Sequence, residues 1–289
     1  MKVVIIGSNG QLGSQLMKAF EGLKPIGLNH NQIEILDTGD IEAMMEAYKP
    51  DWVICTASYH RVDEIESQAD RALMVNGIGA FNLAQASYKY NVGLVYYSTD
   101  YVFDGLKGAP YIESDQPKPL NAYGVSKYVA EQFVAMYAGR FILIRVSGLF
   151  GADGSRSKGG NFVTMMLNKA RRRETIRVVN DQIFAPSACD EVADRTRKLI
   201  EIGKSGIYHL AGEGEATWFE FAKKIFEFAS ITPDLVPITT EEWNAPARRP
   251  RYSVLANTRA RALGLPPLSH WQESLERYIL ETFPKKGDS

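Results

Sequence analysis

Cysteine is scarce in this chain of 289 residues, which contains only two, Cys55 and Cys189. They stand far apart, which argues against a disulfide scaffold and against a cysteine metal site. The four histidines are also widely separated and show no metal-ligand spacing, so we predict no metal site. This use of cysteine is typical of a reducing compartment, and we expect a cytoplasmic protein.

An excess of one charge and a long apolar run are lacking as well. The net charge of −1 gives no general attraction to nucleic acid or to an anionic membrane surface. The apolar run near the N-terminus is too short for a signal peptide, and no run approaches the length of a membrane span. We therefore expect neither a nucleic-acid partner nor membrane insertion.

What the chain does contain is an alternation of short β-branched runs and segments with helical periodicity. It predicts an α/β fold with a Rossmann-type, doubly wound parallel sheet over residues 1–150. Asp40 is predicted to cap the second helix, and residues 68–90 to form one long helix. We predict that 151–289 is a smaller substrate-binding lobe, partly interleaved with the sheet. Strands are predicted at residues 3–6, 25–28, 52–55, 92–98, 141–146 and 176–179.

The loop between the first strand and the first helix is rich in glycine. Gly7, Gly10 and Gly13 stand three residues apart, which permits a tight turn and close approach of the backbone to a pyrophosphate. The free N–H groups and the dipole at the helix N-terminus attract phosphate further. A glycine turn without a ligand is the alternative, but the strand before and the helix after it favour dinucleotide binding. The predicted contacts are Gly7, Asn9, Gly10, Gln11 and Leu12.

The end of the second strand bears on the choice of nicotinamide cofactor. An acidic residue there holds the ribose 2′-hydroxyl and repels a 2′-phosphate. This chain has 29–31 (Asn-His-Asn) there, with neither a carboxylate nor an arginine. We therefore predict NADPH as cofactor, with use of NADH left open. Asp37 and Thr38 follow the next apolar run and are predicted to reach the adenine, although the start of the next helix explains them equally well.

Tyr123 and Lys127 stand four residues apart in a segment with helical periodicity, so they share a helix face. A lysine beside a tyrosine lowers the pKa of the phenol from its free value of about 10. Such a pair is suited to exchange a proton with a carbonyl or an alcohol. Alone, it is also typical of an ordinary amphipathic helix. Thr99, at the end of the fourth predicted strand, and the glycine loop favour the catalytic interpretation.

These motifs resemble those of the extended short-chain dehydrogenase/reductases. Within that superfamily, the string 98–105 (Ser-Thr-Asp-Tyr-Val-Phe-Asp-Gly) is similar to the dTDP-4-dehydrorhamnose reductase family. The resemblance extends along nearly the whole chain. Its further strings are Val62-Asp63 with Glu66, Val75-Asn76, Asn161-Phe162-Val163, Asp181-Gln182, and Arg249-Pro250 through Ser253-Val254-Leu255.

The resemblance implies hydride transfer from NADPH to C4 of dTDP-4-dehydro-L-rhamnose, which gives dTDP-L-rhamnose for surface polysaccharide. It implies that Tyr123 donates the proton and that Lys127 holds the nicotinamide ribose and lowers the pKa of the tyrosine. Thr99 would donate a hydrogen bond to the keto oxygen, and Asn76 would orient a water behind Lys127. The implied cofactor contacts are Ala57, Ser58, Tyr59, Tyr123 and Lys127. The implied substrate contacts are Thr99, Asp100, Tyr101, Gly148, Asn161 and Arg249.

Some positions depart from the family pattern. Gly148 stands where the family usually has a tryptophan that packs on the sugar, so either Leu149 or Phe150 compensates or the sugar differs. Phe184 lies in a segment that also differs, and we expect it to change the nucleotide pocket. Gln15 replaces a glutamate that some members use for magnesium at a dimer contact.

Other functions stay open at this stage. The regulatory β subunit of methionine adenosyltransferase shares this pattern and acts as a binding partner. A reductase of a related nucleotide sugar is a further alternative, which Gly148 suggests. A homodimer is a candidate assembly, and the nearby arginines Arg248, Arg249 and Arg251 are candidate contacts for a substrate pyrophosphate.

Overall fold

A computed structural model describes residues 1–151 and 160–283. Strands and helices alternate through the first half, with 3-10 turns after α1 and β4 and a π-helical stretch between α4 and α5. In order, these elements are β1 (Val3–Ile6), α1 (Gln11–Ala19), a 3-10 turn (Glu21–Leu23), β2 (Ile26–Leu28), α2 (Thr38–Tyr48), β3 (Trp52–Cys55), α3 (Val62–Ile65), α4 (Ala69–Ala72), a π-helical stretch (Leu73–Ile78), α5 (Gly79–Lys89), β4 (Gly93–Thr99), a 3-10 turn (Asp100–Val102), α6 (Ala122–Tyr137) and β5 (Phe141–Val146).

The second half mixes short strand pairs with helices. Its elements are β6 (Leu149–Phe150), α7 (Phe162–Arg171), β7 (Ile176–Val179), β8 (Ile183–Phe184), β9 (Ser187–Ala188), α8 (Cys189–Ile202), β10 (Gly206–His209), β11 (Ala216–Thr217), α9 (Trp218–Phe228), β12 (Leu235–Ile238), α10 (Thr240–Trp243), α11 (Thr258–Ala262) and α12 (Trp271–Thr282).

The main sheet has six parallel strands in the order β2-β1-β3-β4-β5-β10. Its inner strands are buried on both faces, which explains their largely apolar runs. Side chains of α1 and α8 pack on one face, and those of α2, α5 and α6 pack on the other. The predicted Rossmann-type doubly wound parallel sheet is confirmed. The strand order changes direction between β1 and β3, which is where such sheets bind ligands.

Residues beyond 150 contribute to this sheet as well as to a second core. The strand β10 pairs with β5, and α8 packs beside α1. The second core is aromatic and centres on Phe150, Phe221, Trp271 and Tyr278. The division of the chain at residue 150 stays a prediction. In the described ranges, 1–151 and 160–283, no helix combines the length and the apolarity needed to cross a membrane.

Two local predictions are wrong. The cap of α2 is Asp37 and not Asp40, because the extended backbone of Asp37 lets its carboxylate accept hydrogen bonds from the N–H groups of Gly39 and Asp40. The predicted helix over 68–90 is not uniform, since a π-helical stretch separates α4 from α5.

Candidate functional site

The predicted site residues gather at the carboxyl edge of the main sheet. The glycine loop follows β1, Ala57 to Tyr59 follow β3, Thr99 ends β4, and Ser147 follows β5. Parallel strands bring these chain segments to one edge, on both sides of the point where the strand order changes direction.

The glycine loop has no room for side chains at two of its three glycines. Gly7 has a φ of +82°, and an added Cβ would lie 2.5 Å from Oγ1 of Thr56. A Cβ on Gly13 would lie 2.1 Å from the carbonyl oxygen of Gly7, so α1 packs directly on the loop. Gly10, the N-cap of α1, leaves the first N–H groups of the helix without a side-chain partner, and the first turn carries no acidic residue. This cradle fits a dinucleotide pyrophosphate.

The other predicted contacts of this region occupy varied surroundings. Asn9 is exposed, whereas the side chain of Leu12 is buried in the main core. Gln11 donates a hydrogen bond from Nε2 to Sγ of Cys189, at 3.3 Å, and thereby joins α1 to α8. Asp37 caps α2, and Thr38 is its exposed first residue. Their contacts with a cofactor stay predictions.

The loop after β2 folds on itself. Oδ1 of Asn29 accepts a hydrogen bond from the N–H of Asn31 at 2.9 Å. His30 is exposed and lies 3.7 Å from the carboxylate of Glu34. None of the three residues 29–31 carries an acid that would repel a 2′-phosphate.

The helix α6 carries Tyr123 and Lys127 in its first two turns. Asn121 caps it, with Oδ1 accepting a hydrogen bond from the N–H of Gly124 at 2.7 Å. A Cβ on Gly124 would lie 2.3 Å from the carbonyl oxygen of Tyr101, so the helix packs tightly on the turn after β4. The rings of Tyr101 and Tyr123 consequently meet edge to face, with centroids 6.2 Å apart.

Tyr123 is half-buried, and its hydroxyl lies beside those of Thr99 and Ser58. Burial, and next the charge of Asp100, raise the pKa of Tyr123 above its ordinary value, although the two hydroxyls oppose this shift. The spacing to Lys127 predicts a lowered pKa, and that prediction is wrong here. The ammonium of Lys127 lies against Tyr96, so burial and Asp100 determine the direction.

Lys127 is one of the most enclosed charged residues of the chain, with 2% of its surface exposed. Its Nζ donates a hydrogen bond to the hydroxyl of Tyr96 at 3.0 Å and lies 4.2 Å from the centroid of that ring. Burial lowers the pKa of Lys127 to about 8, while Cys55 and Glu131 oppose the shift.

Asn76 ties the segment after β3 to α6. Its Oδ1 accepts hydrogen bonds from the N–H of Tyr59 at 2.8 Å and from the hydroxyl of Ser58 at 3.2 Å. Its Nδ2 donates to the hydroxyl of Ser126 at 2.9 Å. Its carbonyl oxygen accepts from the hydroxyl of Tyr96 at 3.0 Å. Whether Asn76 also orients a water stays a prediction.

Tyr96 was not predicted as a site residue. It lies within an apolar run and looks like one more buried strand residue. The only signal in the sequence is a hydroxyl on an inner strand, because such a group needs a buried hydrogen-bond partner.

Asp100 is enclosed by hydroxyl groups. Its Oδ1 accepts a hydrogen bond from Thr99 at 3.0 Å, and its Oδ2 accepts from Ser147 at 3.0 Å and from Ser253 at 2.6 Å. Burial raises the pKa of Asp100 to about 6, and the three hydroxyls oppose that shift. Its carboxylate thus joins β4 to the segments after β5 and before α11, and a contact with sugar hydroxyls stays a prediction.

Arg249 is bound to a carboxylate. Its guanidinium donates to both oxygens of Asp63, at 3.0 and 2.8 Å, and lies 4.3 Å from the ring centroid of Trp243. It also lies beside Tyr101. Arg251, in turn, pairs with Asp181 at 2.6 Å. Contacts of these arginines with a substrate stay predictions.

Gly148 and Asn161 are placed by packing and capping. Gly148 has a φ of +50°, and an added Cβ would lie 2.3 Å from the ring of Phe184. Phe184 stacks on Trp218, with centroids 3.9 Å apart. Phe150 is buried in the second core, so it does not supply the missing ring.

Asn161 caps α7 through Oδ1 and donates from Nδ2 to the carbonyl oxygen of Gly151, so its contact with substrate stays a prediction.

Acidic, histidine and cysteine side chains form no metal-binding group in the part of the chain that the structure describes. No group of three or more of them is placed to hold a metal ion within residues 1–151 and 160–283.

The chain matches the model of a protein family described as RmlD substrate binding domain over residues 1–283. It is 35% identical to a dTDP-4-dehydrorhamnose reductase of Burkholderia thailandensis, with 89% of this chain and 91% of the relative covered. It is 33% identical to a dTDP-4-keto-6-deoxy-D-glucose reductase of Streptomyces niveus, with 94% of each covered. The crystal structure of a Bacillus anthracis dTDP-4-dehydrorhamnose reductase in complex with NADP superposes with a TM-score of 0.93, at 37% identity, covering 97% of this chain and 99% of that one.

Proposed function

Because the chain belongs to the family described as RmlD substrate binding domain, we propose that it is an NADPH-dependent reductase of a dTDP-linked 4-keto-6-deoxy sugar. The substrate we propose is dTDP-4-dehydro-L-rhamnose, and the product is dTDP-L-rhamnose, a sugar donor for polysaccharide. The observation that carries the proposal is the meeting of Tyr123 and Thr99, with Lys127 one turn further along α6, at the sheet edge that also holds the glycine loop.

Two loops bind the cofactor in this proposal. The free N–H groups at the start of α1 bind the pyrophosphate, and Gly7 and Gly13 allow the backbone to approach it. Residues 29–31 themselves carry no carboxylate that would repel a 2′-phosphate. The NADP-bound Bacillus anthracis relative supports this choice.

Tyr123 acts as the proton donor. When bound, NADPH supplies the hydride that reduces the keto carbon. A phenol with the ordinary pKa of about 10 is already protonated at neutral pH, and the raised pKa of Tyr123 leaves it in this state, which a donor requires. The sugar oxygen takes that proton as negative charge develops on it.

Thr99 assists by changing the acceptor of its hydrogen bond. Its hydroxyl donates to Oδ1 of Asp100, at 3.0 Å, and lies beside Tyr123. In the reaction, this hydrogen bond turns to the sugar oxygen and stabilises its developing charge. The hydroxyls of Ser147 and Ser253 continue to hold Asp100 meanwhile.

Lys127 holds the ribose next to the nicotinamide. One N–H of its ammonium is directed to Tyr96, which leaves the others for ribose hydroxyls.

A reductase of a related dTDP-linked 4-keto-6-deoxy sugar is the second candidate. The position after Ser147 is a glycine, and the ring of Phe184 fills the space where a side chain would project. The Streptomyces niveus relative, which is named for a D-glucose derivative, supports this candidate.

The test is loss of NADPH absorbance with dTDP-4-keto-6-deoxy-L-mannose and, in parallel, with dTDP-4-keto-6-deoxy-D-glucose. Turnover of the first sugar supports the main proposal, and turnover of the second alone supports the other candidate. Turnover of neither, with NADPH still bound, overturns both and favours a binding partner. Tyr123→Phe is expected to abolish turnover while NADPH affinity is kept. Tyr128→Phe, on the same helix, is the matched control.

A further inference from the structure

Tyr96 lies in β4, beneath the helix that carries Tyr123 and Lys127. We propose that Tyr96 is a positioning residue whose hydroxyl fixes the Lys127 ammonium and couples it to Asn76. This inference rests on the proposed function, because it assigns a role within that site.

The hydroxyl of Tyr96 accepts one hydrogen bond and donates another. Tyr96 is 1% exposed, in the middle of β4, on the face that α6 covers. Its oxygen accepts from Nζ of Lys127 at 3.0 Å, and its proton goes to the carbonyl oxygen of Asn76 at 3.0 Å. The fold holds the backbone carbonyl of Asn76 in place, and this carbonyl holds the hydroxyl of Tyr96. The hydroxyl in turn restricts the flexible side chain of Lys127.

The same asparagine reaches Tyr123 by a second route. Its Oδ1 accepts from the hydroxyl of Ser58, and Ser58 lies beside the hydroxyl of Tyr123. Hydrogen bonds therefore join Lys127, Tyr96, Asn76 and Ser58, and the hydroxyl of Tyr123 lies beside the last of them. Because Asn76 lies at the centre of these contacts, both members of the Tyr/Lys pair are positioned against one residue.

The charged and titratable groups around Lys127 do not replace Tyr96. Cys55 faces it from β3, and Glu131 lies one turn further along α6. Glu131 is bound by Arg145 at 2.9 and 2.7 Å, which satisfies its carboxylate. Within the described residues, the hydrogen bond of the Lys127 side chain goes to Tyr96.

Tyr96→Phe removes this hydroxyl and keeps the ring. We expect kcat to fall by about tenfold or more, since a hydrogen bond to a charged group is lost. The same loss disfavours the ammonium, so the alkaline limb of the pH profile is expected to move down by about one pH unit. A purely structural role would not move that limb.

Tyr97→Phe is the matched control. Tyr97 is the next residue of the strand, faces the opposite side, and donates or accepts one hydrogen bond with Thr196 at 2.7 Å. It is also buried, so its substitution removes a buried hydroxyl on the face of the sheet opposite to Lys127. We expect Tyr97→Phe to keep the wild-type kcat and pH profile. Equal effects of the two substitutions, or an unchanged limb in Tyr96→Phe, would overturn the proposal.

A second measurement does not need the sugar. NADPH affinity is compared for wild type, Tyr96→Phe, Lys127→Met and the double variant. If Tyr96 acts through Lys127, Tyr96→Phe weakens binding several-fold in the wild-type background and has no effect in Lys127→Met. Equal weakening in both backgrounds contradicts the inference. This result stands even if wild type turns over neither sugar, so the two proposals fail separately.

Discussion

Among single residues, Asp100 combines full burial with a charge. Three hydroxyls hold its carboxylate, yet burial still raises the pKa to about 6. Its negative charge is also the second cause of the raised pKa of Tyr123. Asp100 therefore favours the protonated form of Tyr123, and its burial costs the desolvation of a carboxylate.

Asp100→Asn should change how stability depends on pH. The raised pKa of an acid stabilises the fold below about pH 4, and that contribution is lost as pH rises through about 6. The shift corresponds to a loss on the order of 3 kcal/mol. The free energy of unfolding of Asp100→Asn relative to wild type should therefore rise between about pH 4.5 and pH 7.5, as measured by urea unfolding.

Asp115→Asn is the control of opposite sign. Burial of Asp115 is outweighed by hydrogen bonds from Lys107 and from the N–H of Ile112, so its pKa is lowered. Its contribution is present above its unfolded pKa and is lost as pH falls, so Asp115→Asn should become relatively less stable as pH rises. Parallel slopes for the two variants would contradict this account of Asp100.

Activity should fall in alkali as Lys127 loses its proton. Burial lowers its pKa to about 8, whereas that of Tyr123 is raised. We therefore expect the alkaline limb of kcat/KM with NADPH to lie near pH 8 and to be absent from the residual activity of Lys127→Met. A limb that persists in Lys127→Met would assign it to another group.

Residue spacing alone predicts the placement of Tyr123 and Lys127 but not their chemistry. Four residues of separation on a helix predict a shared face, and α6 carries both residues in its first two turns. The direction of the Tyr123 pKa could not be predicted in this way, because it depends on Asp100 and on burial. Tyr96 was missed because hydrophobic patterns do not distinguish a core tyrosine from one that binds a lysine.

At the level of elements, α6 depends on its N-cap residue, Asn121, for its placement. Oδ1 of Asn121 accepts from the N–H of Gly124, and its Nδ2 donates to the carbonyl oxygen of Arg248 at 2.7 Å. One side chain thereby caps the helix and attaches it to the chain segment that holds Arg249. The proposed donor lies only two residues further on.

Asn121→Ala is expected to destabilise the protein by about 1–2 kcal/mol, because both bonds are lost. Activity should fall as well, since the first turn of α6 carries Tyr123. Asn121→Ser keeps a capping oxygen at this buried position and loses the bond to Arg248 without burying a charge, so it should lose less stability. Chemical unfolding and steady-state kinetics measure both effects. Equal losses in the two variants would show that the cap is unimportant.

The strands were easier to predict than the caps and edges. Trp52–Cys55 and Phe141–Val146 have the predicted bounds because inner parallel strands are continuously apolar. The edge strand β10 was missed, since its four residues hold only two large apolar side chains, Ile207 and Tyr208. The sequence pattern places the cap of α2 three residues late, at Asp40 and not at Asp37, because several acidic and small residues in succession fit the same pattern.

Across the whole molecule, the site is closed by contacts between residues far apart in sequence. Ser253 reaches Asp100 from 153 positions away, and Arg249 reaches Asp63 from 186 positions away. Each attaches the second half of the chain to a segment that follows a strand of the main sheet. Sequence patterns describe neighbours, so they identified these residues as motifs without pairing them.

The Asp63–Arg249 pair should respond unequally to loss of its two members. Arg249 is 9% exposed in its side chain, whereas that of Asp63 is 41% exposed. Asp63→Ala leaves a buried guanidinium without its carboxylate and should cost about 2 kcal/mol, as measured by urea unfolding. Arg249→Met leaves a carboxylate that water can solvate and should cost less than about 1 kcal/mol. A larger loss for Arg249→Met would mean that packing on Trp243, and not charge pairing, holds the two halves together here.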